Sequence, residues 1–315
     1  MGGLVEIAIL LYPTAHLSSV GGLTDLFKFI NNQIPSSQSP QVKVTHWQSE
    51  NDQIIKVFDS HENHKSQISF VIIPPSFEPP VSQQDAQIYV LWLKELYQRG
   101  VILCSICSGI FILLETGVLQ GRTVTTHWSN ITTLKTRSTH LKVDCNKMVV
   151  DENDIITTAG PMSWIDMGFT LTERIYDTSF MVKMAQYLLL DPPIRKQSYY
   201  KNFVPSFDHG DEVIVNAQHW LQTHYNETIT VDMLVELTHL EKRTLLRRFK
   251  KATNLTIVEY CQNLRIQKAQ DLLITTNLSF DSISWQAGYK DSSSFSKMFC
   301  KNIGLSPIEY RKRFK

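Results

Sequence analysis

The spacing of apolar residues changes character near residue 212 of this 315-residue chain. Before that point, short apolar runs rich in β-branched side chains alternate with stretches of helical period. Residues 5–12 and the segment SFVIIPP at 69–75 are short, β-branched and mainly apolar runs closed by prolines, the pattern of buried strands in a parallel sheet. Between them Leu23, Leu26, Phe27 and Ile30 line one helical face of GGLTDLFKFINNQI, and QVKVTHW follows as a further strand. The alternation continues with a helix in AQIYVLWLKELYQRG that Gly100 stops, a strand in VILCSIC, and a helix in SGIFILLETGVL that opens directly after Cys107. A hairpin in MVVDENDIITTAG and one or two helices in MGFTLTERIYDTSFMVKMAQYLLL complete this part. Such alternation predicts an α/β domain over residues 1–195, built on a doubly wound sheet.

The stretch DPPIRKQSYYKNFVPSFDHGD carries three prolines and little periodicity, and residues 196–212 read as a linker. From 213 to 315 every segment has helical period. This part contains its own repeat. VDMLVELTHLEKRTLLRRFKKATNLTIVEY and FDSISWQAGYKDSSSFSKMFCKNIGLSPIEY align through Phe249 and Phe299 and through Glu259-Tyr260 and Glu309-Tyr310. Each half is a short apolar helix, a turn, a second helix with a polar outer face, and a further helix. That is an all-α domain with two helix-turn-helix units.

Charge sharpens the division. The net charge is +1 overall, yet residues 213–315 hold fifteen Lys and Arg against nine Asp and Glu, while the rest of the chain is acidic. A basic domain joined to an acidic one suits a phosphate-bearing partner. Five cysteines without disulfide-like spacing fit a reducing setting, and the N-terminal apolar run lacks the basic flank of a signal peptide. No run reaches the length of a membrane span, so a cytoplasmic protein with no membrane partner is expected. No metal or cofactor motif is read.

In a helix-turn-helix the second helix enters the major groove. Within EKRTLLRRFKKAT, Leu245 and Phe249 face inward, which leaves Lys242, Arg243, Leu246, Arg247 and Lys250 outward, with guanidiniums able to bond guanine or phosphate. In the second unit Phe295 and Phe299 face inward and Ser292, Ser293 and Lys297 outward. These stretches resemble the AraC/XylS family of transcription regulators, a resemblance that implies duplex DNA as partner and base reading near the start of each second helix. Glu241 stands where that family usually has a Ser or Thr cap, so a frayed first turn is expected there.

The stretch CSICSGIFILLETGVLQGRTVTTHW poses a separate question, because it joins two cysteines to a histidine. Cys107 lies where a strand meets a helix, an address at which a helix N-terminus acidifies a thiol. Cys104 lies within the strand, so a thioredoxin-type dithiol, which needs its first cysteine at the helix start, is disfavoured. The turn, together with Gly117, Gly121-Arg122, Thr125-Thr126-His127-Trp128, Thr157-Thr158-Ala159-Gly160 and Asp166, resembles the ThiJ/PfpI group of the class I glutamine amidotransferase-like superfamily. The chain as a whole resembles the GlxA-like regulators, in which that flavodoxin-like fold is a sensor domain. In enzymatic relatives Cys107 would be the nucleophile and His127 its partner. Ser19 falls where an Asp is typical, so the orienting acid is missing and no enzyme is expected. Three readings follow: a ligand pocket of Ser19, Cys107, Ser108 and His127 for a small nitrogen-containing metabolite, a vestigial pocket, or a thiol hydrolase or deglycase-like enzyme. The resemblance also implies a homodimer.

Overall fold

The first aliphatic run forms β1 (Leu4–Leu11), whose Ile7 to Leu10 are wholly buried. In the computed structural model, which describes residues 3–34, 39–193 and 195–315, the chain divides into the units Met1–Gln197 and Ser198–Lys315. After β1 come α1 (Leu17–Asn32), β2 (Gln41–Glu50), β3 (Gln53–Asp59), β4 (Ile68–Ile73), α2 (Gln83–Gln98) and β5 (Ile102–Ile106). Then follow α3 (Ile110–Glu115), β6 (Thr123–Val124), α4 (Ile131–Arg137), β7 (Lys142–Val143), β8 (Val149–Asp151), β9 (Ile155–Thr158), α5 (Trp164–Ile175) and α6 (Thr178–Tyr187).

The main sheet runs β3-β2-β1-β4-β5-β9-β8. Its five central strands are parallel, and β3 and β8 close the edges antiparallel. The order is that of a flavodoxin-like doubly wound sheet, with the direction of winding reversing between β1 and β4. One core buries Leu23, Phe27 and Ile30 of α1 and Met167 and Phe169 of α5. The other buries Tyr89 and Leu93 of α2 with Phe111 of α3.

Two local departures from the sequence reading have clear causes. Strand β3 lies outside the elements that spacing predicts; Asn51 and Asp52, both at positive φ, supply the tight turn that folds it onto β2. Helix α3 is a six-residue piece ending at Glu115 and capped by Thr116, because Gly117 at φ +77° turns the chain away.

The second unit comprises α7 (Glu212–His224), α8 (Val231–Thr238), α9 (Lys242–Thr253), α10 (Ile257–Thr275), α11 (Phe280–Gln286), α12 (Ser292–Ile303) and α13 (Pro307–Phe314). It has one core per half. Leu234, Leu245, Phe249 and Tyr260 centre the first. Ile283, Phe295, Phe299 and Tyr310 centre the second. Both α10 and α13 open with a capping box, Thr256 with Glu259 and Ser306 with Glu309. Among the described residues no helix is long and apolar enough to cross a membrane.

Candidate functional site

Helices α9 and α12 are the second helices of the two helix-turn-helix units. Each is pinned by two phenylalanine or leucine side chains on one face, Leu245 and Phe249 or Phe295 and Phe299, all fully buried. Their 3.6-residue period then sets the opposite faces outward. Lys242, Arg243, Leu246, Arg247 and Lys250 are exposed on α9; Ser293 and Lys297 are exposed and Ser292 half-buried on α12.

The helix starts differ. Asp291 caps α12 by accepting from the backbone N–H groups of Ser293 and Ser294, whereas the Glu241 side chain makes no cap bond to α9. Several α9 cations are held internally: Lys242 by Asp232 at 3.0 Å, Lys250 by Glu259 at 3.6 Å, and Arg248 by both oxygens of Asp211 at 2.6 and 2.9 Å. The Asp211 carboxyl is held below its ordinary range chiefly by the Arg248 guanidinium. Arg248 therefore ties α9 to the start of α7, where Asp211 is the cap residue.

In the first unit, Cys107 sits at φ +52°, a left-handed conformation uncommon for a residue with a side chain, on a 3-10 turn between β5 and α3. Gly109 makes that turn possible, since a Cβ there would stand 2.5 Å from the carbonyl oxygen of Ile73. Ser108 fastens the turn to the loop after β4, accepting from the Ser76 N–H at 2.7 Å and donating to the Ser76 carbonyl at 3.1 Å.

The expected acidification of Cys107 is not found. Burial pushes its thiol up to about 11, against the opposing backbone N–H groups of His127 and Ser108 and the Asn130 amide. The reason is geometric: α3 is short and stands behind a 3-10 turn, so desolvation dominates over the helix terminus. Cys104 is fully buried in the core, and burial raises its thiol also.

The remaining expected pocket residues are placed as follows. Nδ1 of His127 pairs with Ser129 Oγ at 2.6 Å, and its ring packs on Trp128; its backbone N–H, not its ring, bonds the Cys107 sulfur. Burial lowers the imidazole pKa. The side chain beside the sulfur is Asn130, its Nδ2 at 3.8 Å, and no periodicity or spacing announced it. Thr126 Oγ1 accepts from Asn130 and donates to the Cys107 carbonyl at 2.8 Å. Ser19 is buried in the first turn of α1 and donates to the His16 carbonyl at 2.7 Å.

Gln197 then clasps this loop from the other side. Its side chain accepts from the Trp128 N–H at 2.7 Å and donates to the Thr126 carbonyl at 3.1 Å, bonding both neighbours of His127. Nearby, Asp166 is buried and pairs with Arg195 at 2.7 Å, its carboxyl pKa raised by desolvation in spite of that partner.

An open cleft of about 1090 Å³ lies at the carboxyl ends of β1 and β4, where the sheet reverses its winding. Tyr12, His16, Phe77, Glu78, Asp85 and Tyr89 are among its lining. Ser19, Cys107, Ser108 and His127 are not among that lining. Tyr12 ties the cleft to the loop after β4, its hydroxyl donating to the Pro74 carbonyl, and burial raises its pKa.

The DJ-1/PfpI family pattern matches residues 10–174 and a helix-turn-helix domain pattern matches residues 234–313. The HTH-type transcriptional regulator CdhR of Pseudomonas aeruginosa is 27% identical over 248 residues, 78% of this chain and 72% of that protein. The lactose operon transcription activator of Staphylococcus xylosus is 32% identical over 133 residues, and the match spans 42% of this chain and 48% of that protein. Among solved structures, Drosophila melanogaster DJ-1beta covers 61% of this chain over its whole length, at 17% identity and a TM-score of 0.46. The DNA-binding domain of AdpA, solved with a target DNA, covers 33% of this chain over 89% of its own, at 27% identity and a TM-score of 0.30. With the first of the two patterns extending over more than half of its residues, the chain belongs to the DJ-1/PfpI family, and a helix-turn-helix domain follows that region.

Proposed function

We propose that the protein is a sequence-specific DNA-binding transcription regulator that acts in the cytoplasm as a homodimer. Residues 213–315 read duplex DNA and residues 1–195 sense a small metabolite. The observation that carries this reading is the duplication: two second helices, each closed on its core side by paired aromatic or aliphatic anchors, each presenting exposed polar or basic residues near its start. The named regulators that align with the chain support it. In this reading Lys242, Arg243, Leu246, Arg247, Lys250, Ser292, Ser293 and Lys297 form the DNA-reading surface.

Ligand sensing is assigned to the carboxyl edge of the sheet, at Ser19, Cys107, Ser108 and His127, an edge at which doubly wound sheets bind ligands. A nitrogen-containing metabolite rests on the family resemblance. The test is footprinting of the full-length protein on its own upstream DNA, with and without members of a metabolite panel. Absence of any salt-dependent protection overturns the regulator reading.

A second reading, a thiol-dependent hydrolase, is favoured by the left-handed Cys107 at the end of a strand. The raised thiol pKa and the engagement of the His127 ring with Ser129 weigh against it.

A further inference from the structure

Residues 198–211, which open the second unit ahead of α7, carry aromatic and polar groups that bind both halves of the helical unit, in the same way in each. Gln218 of α7 and Gln270 of α10 are both fully buried. Gln218 donates through Nε2 to the Ser206 carbonyl at 3.1 Å and to the Tyr260 hydroxyl at 3.3 Å. Gln270 donates through Nε2 to the Lys201 carbonyl at 3.2 Å and to the Tyr310 hydroxyl at 3.0 Å. The two tyrosine rings then meet the reading helices edge-on, Tyr260 against Phe249 at 5.4 Å and Tyr310 against Phe299 at 5.5 Å. The same relay, carbonyl to glutamine to tyrosine to helix anchor, thus joins residues 198–211 to α9 and to α12.

Further contacts fix this strap along its length. Tyr199 and Tyr200 lie against the Arg313 guanidinium, and a Cβ on Gly304 would come within 3.1 Å of the Tyr199 ring. The Phe203 N–H donates to Gln267 and its ring meets Tyr260 edge-on. Phe207 stacks on His219 at 4.7 Å. His209 Nδ1 accepts from the Asp211 N–H, so its Nε2 carries the proton and donates to Gln218 Oε1 at 2.7 Å. Asp211 ends the strap as the forked partner of Arg248.

Each half has a separate core, and α10 is the helix that joins them. A second connection between the halves constrains rotation about that helix. We propose that residues 198–211 form a bracket that sets the spacing and phase of the two reading helices, with Gln218 and Gln270 as positioning residues for two-segment DNA recognition. The proposal rests on α9 and α12 being the reading helices. Spacing is where it acts, because one added base pair turns the second segment by about 35° and displaces it along the axis.

The test uses the full-length protein and a duplex site that it selects from a random-sequence pool. Affinities are compared for that site and for versions with one base pair inserted or deleted between the two protected segments. We expect the native protein to lose about tenfold or more on the altered spacings, and the Gln218→Leu, Gln270→Leu double variant to lose less than about threefold, as a reader of unfixed half-spacing must. Asp211→Asn, which keeps an α7 cap while weakening the Arg248 fork, keeps the proposal testable if the buried double variant fails to fold; it should relax the discrimination part of the way. Unchanged discrimination in a folded variant overturns the bracket alone. A native footprint confined to one segment, or none, overturns the reading-helix assignment and the bracket with it.

Discussion

Asn130 Nδ2 faces the Cys107 sulfur at 3.8 Å, while the His127 ring is turned to Ser129. The thiol thus has an amide for a neighbour where a base would be needed for nucleophilic chemistry. With the other four cysteines substituted, alkylation of Cys107 by iodoacetamide should rise with a midpoint well above that of a free thiol, near the 11 that burial imposes. A midpoint well below 6, with turnover abolished by Cys107→Ala, would establish the enzyme reading instead.

The same burial makes a stability statement. A free thiol titrates near about 8.5, so between that pH and about 11 the unfolded chain has lost a proton that the native state still holds. Stability from Cys107 is then complete below the lower value and falls as pH rises through the window. Urea denaturation of the native chain and of Cys107→Ala across pH 8 to 10.5 should show a shallower alkaline decline for the variant.

Gly109→Ala should destabilise the first unit by about 1–3 kcal/mol, the usual cost of forcing atoms into packed space. The added carbon meets the backbone oxygens of Ile73 and Pro74, which no rotamer change can move. Equilibrium denaturation reads the loss; a neutral result means that the turn can shift away from β4.

On the helical unit, Arg247→Ala should weaken a specific site by about 1–3 kcal/mol. Lys242→Ala should cost less, since Lys242 already holds Asp232. Binding isotherms at one fixed salt concentration separate the two, and equal losses would mean that the Asp232 pair dissolves on DNA.

Glu241→Ser should stabilise the helical unit by about 0.5–1 kcal/mol by supplying the missing cap bond. Thermal unfolding of the variant checks this. No gain would show that the first turn of α9 is already satisfied by solvent.

Much of this architecture is written in local periodicity. The buried strands, the outward faces of α9 and α12, and the duplicated register through Phe249 and Phe299 follow from spacing alone, because one-sided burial imposes a period on the sequence. Groups that act through a few long-range bonds leave no such trace. Asn130, Gln197, Gln218 and Gln270 are polar residues inside otherwise ordinary segments, and only the folded chain brings each to its carbonyl or sulfur. The stretch from 198 to 211 lacks periodicity because its aromatics pack one by one against different helices. The thiol of Cys107 departs from its local expectation for a related reason: its position at a strand end is local, whereas its desolvation is a property of everything packed around it.

The ion pairs on α9 alter what the electrolyte can report. Lys242, Arg248 and Lys250 each bring a carboxylate with them, so the helix presents less net charge to DNA than its six Lys and Arg residues suggest. Counterions leave DNA in proportion to the phosphate charge actually neutralised, about 0.9 in logarithmic slope for each phosphate. The affinity of this protein should therefore fall with added salt more gently than its basic composition implies, and replacing Asp232 with Asn should steepen that fall.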